Sequence, residues 1–156
     1  MTKVILTGVD GSETAQEAAE KAAGLAAALR AELHVMSAFS VDLSETLRTV
    51  RSNEDPSAIA EAVKNLTVRY ADEAERTAAA VAEKLRAEFP GLKITSRAAE
   101  GSPGSALANE AERVQADTIV VGNKRVQGPA RILGSVARTV ASEANCDLYI
   151  VNTHPR

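Results

Sequence analysis

The chain predicts an α/β fold built on a parallel sheet, and three observations carry that expectation. Short β-branched apolar runs alternate with longer segments of helical periodicity along all 156 residues. Glycine, proline and aspartate punctuate the runs, as at Gly8-Val9-Asp10-Gly11 and Pro90-Gly91. The stretch Val120-Val121-Gly122 to Gly134-Ser135-Val136 reads as a strand, a glycine-bearing loop and a helix start.

Taken in order, Lys3 to Val9 is a buried strand, short and β-branched. The next helix is capped by Ser12 or Thr14, with Thr14 and Glu17 spaced as a capping box. Ala15, Ala18, Ala19, Ala22, Ala26 and Leu29 give it a thin apolar stripe, small enough to lie close to a sheet. Glu32 to Ala38 is the second strand, and Phe39 to Asp55 a long polar loop with at most one helical turn. Pro56-Ser57 opens a long helix to about Phe89. Its apolar face is Ala60, Val63, Leu66, Tyr70, Ala74, Ala78, Val81 and Leu85, and its mixed charges form a solvated side. Lys93 to Ala99 is the third strand, Ser105 to Val114 a helix, Thr118 to Gly122 the fourth strand, Ile132 to Glu143 the last helix and Leu148 to Asn152 the last strand. Such alternation implies right-handed crossovers.

Composition narrows the function. The length suits a single domain, residues 1–156, with a real core. A net charge of -3 argues against non-specific nucleic-acid binding, which needs a basic face. Aromatic residues are 3% and tryptophan is absent, so a base-stacking platform is not expected. Cys146 is the sole cysteine, which excludes a disulfide framework or thiolate cluster. Val4-Ile5-Leu6 is too short for a signal segment, and no run reaches the roughly 18–20 apolar residues of a membrane span. A cytoplasmic protein without membrane contact is the expectation.

The loop after the fourth strand carries the most chemistry. Gly lets main chain approach a ligand closely. Free N–H groups at a helix start, with the Ser135 hydroxyl, form an anion site. Lys124, Arg125 and Arg131 add positive charge where a phosphate would lie. The unit reads as a nucleotide-phosphate cradle.

These residues resemble the universal stress protein family. Its nucleotide-binding members place Gly, two residues, Gly, nine residues and Gly-Ser or Gly-Thr after the fourth strand. Gly122 matches the first glycine and Gly134-Ser135 the closing pair; Arg125 stands at the second glycine, the spacer is one residue short, and Gly128 lies in between. Lys3-Val4-Ile5-Leu6-Thr7-Gly8-Val9-Asp10-Gly11-Ser12 is similar to the family's first strand and turn, His34-Val35 to its second strand, and Leu148-Tyr149-Ile150-Val151 to its closing strand.

The resemblance implies a five-stranded parallel sheet in the order 3-2-1-4-5 with helices on both faces, of the adenine nucleotide alpha hydrolase-like class. The strand order would then reverse between the first and fourth strands, and ligands bind beyond strand carboxyl ends at such a reversal. The implied nucleotide-binding set is Gly8, Val9, Asp10, Val35, Val121, Gly122, Lys124, Arg125, Gly128, Arg131, Gly134, Ser135 and Val136. The ligand implied is ATP or cyclic AMP, with Mg accompanying ATP. The role implied is regulation or stress survival, with at most slow hydrolysis and a regulatory protein partner. A homodimer through Leu148 to Thr153 is expected, because that apolar edge bears no lysine or proline until Pro155.

Each residue also has a plainer reading. Asp10 suits a turn before Gly11, Val9 and Val35 suit a core, Gly122 and Gly134 suit packing contacts, and loop cations are commonly only solvated. His34, His154 and Cys146 read as structural. No base stands beside Ser135 by sequence. A G-x-x-x-x-G-K-S/T loop, a G-x-G-x-x-G turn, metal-spaced His/Glu and the acidic cluster of a phospho-receiver are absent. The alternatives to a nucleotide-binding regulator are a dimeric module of the same fold that binds no nucleotide, and a nucleotide-hydrolysing or adenylating enzyme.

Overall fold

A computed structural model describes residues 1–49, 55–123 and 133–153. Its strands are β1 (Val4–Gly8), β2 (Glu32–Phe39), β3 (Ile94–Glu100), β4 (Thr118–Asn123) and β5 (Asp147–Asn152). All pairings are parallel, in the order β3-β2-β1-β4-β5. The order implied by the resemblance is thus the order found. The helices are α1 (Glu13–Leu29), α2 (Leu43–Thr49), α3 (Pro56–Glu88), α4 (Pro103–Val114) and α5 (Ser135–Glu143).

Strand side chains alternate between two faces, and both faces are covered. Ile5, Leu33, Val35, Val120 and Val151 pack with the alanine stripe of α1 and with Ala78, Ala82 and Leu85 of α3. Leu6, Met36, Ile119 and Val121 pack on the other face with Ala106, Leu107 and Ala111 of α4 and Ala137 and Val140 of α5. Thr7 is the polar residue at the sheet centre; its hydroxyl donates to the Val120 carbonyl at 3.0 Å, tying β1 to β4. Gly104 lets α4 and α5 touch, since a Cβ there would stand 2.5 Å from Thr139 Cβ.

Four local expectations are corrected. The first helix is capped by Ser12 alone, whose hydroxyl accepts the Ala15 N–H at 3.2 Å, so no Thr14–Glu17 box forms. Residues 43–49 form the helix α2, because Asp42 accepts the Ser44 N–H at 2.8 Å and caps it. Tyr70 is 42% exposed instead of facing a core. At 1.5 Å per residue α3 is about 50 Å long, roughly twice a seven-residue strand, and its buried residues begin only at Ala74. Similarly, α5 starts at Ser135, with Gly134 extended at its N-cap, φ -60° and ψ 157°.

On the α4 side, Glu110 is buried and held by Arg113 at 2.5 and 2.9 Å and by Arg97 at 3.3 Å. The Arg113 guanidinium keeps its carboxyl below the ordinary glutamate range against the opposing effect of burial. His34 lies beside this cluster, its Nδ1 2.9 Å from Thr95 Oγ1, and burial lowers its pKa.

Candidate functional site

The chain leaves β1 through α1 to β2 on one side, and enters β4 on the other side of β1 from α4. The strand order therefore reverses between β1 and β4. At their carboxyl ends lies an open, largely apolar cleft. The loop after β1 supplies Gly8, Val9 and Asp10, and the start of α1 supplies Ser12, Thr14 and Ala15. Met36 and Ala38 come from β2, Pro103 and Leu107 from α4, Val121 and Gly122 from β4, and Val136 from α5.

Each part has a local cause. Gly11 at φ +84° turns the chain sharply after β1, a conformation that suits glycine. The Asp10 carboxylate accepts the Ser12 N–H at 2.9 Å, which sets the turn that starts α1. Asp10 remains exposed and is the one carboxylate among the described residues lining the cleft. Gly8 makes room for Leu107, whose Cδ1 would stand 3.1 Å from a Cβ at that position. Gly122 does the same for α1: a Cβ there would meet Thr14 Cγ2 and the Thr14 carbonyl oxygen at 3.0 Å each, and Thr153 Cγ2 at 3.2 Å. The plainer packing role of Gly122 is thus real, and it fixes how closely two cleft walls approach.

Across the cleft, α5 begins without a side-chain cap, and Gly134 and Ser135 are exposed. Its first-turn N–H groups carry the partial positive charge of a helix start. The Asn123 side-chain oxygen accepts the Gly134 N–H at 2.9 Å, and the Asn123 carbonyl accepts the Thr153 hydroxyl at 3.2 Å. Asn123 therefore pins the far end of the glycine loop to the end of β4.

The structure brings Gly8, Val9, Asp10, Val121, Gly122 and Val136 together at the cleft, with Gly134 and Ser135 at the adjoining helix start. Val35 is not among the lining residues. It is 1% exposed in the core under α1 and α3, and its neighbour Met36 faces the cleft side instead. Lys124, Arg125, Gly128, Arg131 and His154 lie outside the described residues. Met36, Leu107, Ser12, Thr14 and Asn123 were not anticipated. Period-two alternation was the available signal for Met36, because a Val35 shared with Leu33 on one face puts Met36 on the other. Among the described residues, no group of three or more His, Cys, Asp or Glu is placed to hold a metal ion, and no helix is long and apolar enough to cross a membrane.

Fold and cleft together define a doubly wound α/β protein with its site at the strand-order reversal. The sequence profile of the universal stress protein family matches residues 1–152. The chain belongs to that family. A relative from Mycobacterium tuberculosis, universal stress protein Rv1636, is 33% identical over 153 residues, 97% of each chain. A crystal structure of a universal stress protein in complex with cAMP is 27% identical, covers 97% of this chain and 98% of its own, and superposes with a TM-score of 0.66. Universal stress protein UspA from Lactobacillus plantarum, 21% identical over 96% of this chain and 97% of its own, shares the fold at a TM-score of 0.71.

Proposed function

We propose that the cleft binds an adenine nucleotide, ATP or cyclic AMP, and that the protein is a cytoplasmic regulator of the stress response. One observation carries this reading: the cleft is lined by an exposed carboxylate, Asp10, and by Val136 in the first turn of α5, whose start at Gly134-Ser135 has no side-chain cap. The apolar side chains of Met36, Leu107 and Val121 suit the faces of a purine. Asp10 suits a ribose hydroxyl or an adenine amino group as an acceptor, and α5 suits phosphate. Kinship to the protein crystallised with cAMP supports the same ligand class. With ATP, Mg would accompany the phosphates, and Asp10, the carboxylate of the lining among the described residues, would be the protein group available to hold it. No base stands beside Ser135 in the sequence, and the proposed role is accordingly that of a binder instead of an efficient hydrolase. The β5 edge supplies the expected homodimer through Leu148 to Thr153, whose regulatory surface would meet a further protein partner.

Mass spectrometry of small molecules released from the freshly purified protein should show an adenine nucleotide. Calorimetry then locates it. Gly134→Val should weaken ATP or cyclic AMP at least about tenfold, about 1.4 kcal/mol. Among the described residues a Cβ at 134 meets only Asn123 Oδ1, at 3.2 Å, and φ is ordinary, so the variant should fold. Unchanged affinity in a folded variant removes α5 from the site. No released nucleotide and no calorimetric heat would favour the nucleotide-free dimeric module.

Asp10 separates the turn role from the ligand role. Asp10→Asn keeps an oxygen for the Ser12 N–H, whereas Asp10→Ala loses it. The alanine variant should lose about 0.5–1.5 kcal/mol of stability and bind nucleotide several-fold more weakly. Thermal melts paired with titrations check this. Binding left intact in both variants would make Asp10 a turn residue only.

A further inference from the structure

We infer that two side chains of α3, Glu75 and Arg86, close the β3 edge of the sheet to strand addition, so that main-chain pairing between copies is confined to β5. The second clause rests on the homodimer reading; the first stands without it.

β3 pairs on one side only, with β2. The Lys93 carbonyl accepts the Leu33 N–H at 2.9 Å, and the Gly101 N–H donates to the Phe39 carbonyl at 2.8 Å. Both main-chain groups of one strand residue point the same way, and successive residues alternate. Odd-numbered residues from 93 to 101 therefore face β2. Ile94, Ser96, Ala98 and Glu100 turn their N–H and C=O groups outward, where an incoming strand would bind.

Two of those outward positions are already occupied. The Ala98 N–H donates to Glu75 Oε2 at 2.9 Å, and Arg86 Nη2 donates to the Ile94 carbonyl at 2.8 Å. The spacing makes both possible from one helix. Glu75 and Arg86 are eleven residues apart, about three turns and 20°, so they share one stripe of α3 and stand about 16 Å apart along it. Ile94 and Ala98 are about 13 Å apart along the strand. The helix thus reaches over the edge at both ends, with the outward groups of Ser96 between them. Each contact has an ionic partner, which makes it stronger than a neutral hydrogen bond. A pairing strand would have to displace both.

The other edge differs. The Asp147 N–H donates to the Asp117 carbonyl, so odd residues of β5 face β4, and Leu148, Ile150 and Asn152 turn outward. Among the described residues no side chain takes an outward main-chain group of β5. Its exposed side chains include Tyr149 and Ile150. The two edges thus present opposite invitations to a second copy of the chain.

The test compares Glu75→Ala/Arg86→Met with its parent in the full chain, by light scattering at high micromolar concentration. Both side chains are exposed, so the variant should fold. It should form species larger than the parent. It should also do so in an Ile150→Pro background, where β5 pairing is removed. Hydrogen exchange at the Ala98 amide should be at least about tenfold faster in Glu75→Ala than in the parent. A folded double variant with the parent's mass in both backgrounds overturns the closure. Should the double variant fail to fold, the two single variants carry the same mass comparison. A monomeric wild-type protein whose double variant associates would sink the β5 homodimer and leave the β3 closure standing.

Discussion

Gly122→Val should lower the stability of the fold by about 1–3 kcal/mol and abolish nucleotide binding in the same variant. The cause is steric and lies at the cleft itself. The new side chain would start 3.0 Å from both the Thr14 methyl and the Thr14 carbonyl oxygen, and 3.2 Å from the Thr153 methyl. The methyl groups belong to stiff β-branched side chains, and the carbonyl belongs to the first turn of α1, so none yields cheaply. β4 and α1 must separate, which moves Ser12 and Thr14 away from Val121. Denaturant unfolding and calorimetry on the same preparation check both halves. Gly122→Ala with Thr14→Ser removes the clash with the side chain at 14 but keeps that with its carbonyl. Recovery of binding relative to Gly122→Ala alone would place the constraint in the Thr14 methyl, and failure would place it in the Thr14 main chain or at the Thr153 methyl. A Gly122→Val protein with native stability and affinity would mean that the two walls have slack.

Ile150→Pro should convert a homodimer into monomer while leaving the fold nearly untouched. The two outcomes separate because of the direction in which β5 points. The ladder to β4 uses odd-numbered residues, as the Asp147 and Thr153 N–H bonds to Asp117 and Asn123 show, so the Ile150 N–H is not spent inside the sheet. Proline is tolerated on an edge strand where its nitrogen faces solvent. In a two-fold antiparallel pairing the same substitution acts twice, removing a donor from each copy and inserting a ring between them. The dimer constant should weaken at least about a hundredfold, about 2.8 kcal/mol. Light scattering over a dilution series measures the constant, and a thermal melt confirms the fold. An unaltered dimer would move the interface away from Leu148–Thr153, and a monomeric parent would defeat the pairing outright.

The strands were legible because parallel strands buried on both faces are apolar throughout, as Val4-Ile5-Leu6 and Ile119-Val120-Val121 are. The stripe from Ala18 to Ala26 was legible for the matching reason, since a helix close to a sheet needs small residues at helical spacing. Strand order was not written in any local pattern. Pairings such as Leu6 with Ile119 join residues more than a hundred positions apart, and the order followed from the resemblance alone. The cleft was readable to the nearest strand end but not to the face. Val35 and Met36 are both buried, at 1% and 2% exposure, so burial could not say which one borders the cleft. Helix α2 escaped because both its leucines, Leu43 and Leu47, are exposed and no apolar stripe advertises it. Asn123 escaped because its partners, Gly134 and Thr153, meet it only after the chain has returned twice.

The bond from the Asn123 side chain to the Gly134 N–H also bears on how this family's loop tolerates change. It fixes the two points between which the intervening segment must close. The entropy of closing a segment depends on the logarithm of its length, so losing one residue of about eleven alters the cost by under about 0.1 kcal/mol. The spacer that is one residue short is therefore almost free in folding terms. Closure entropy thus places little constraint on the length of this segment.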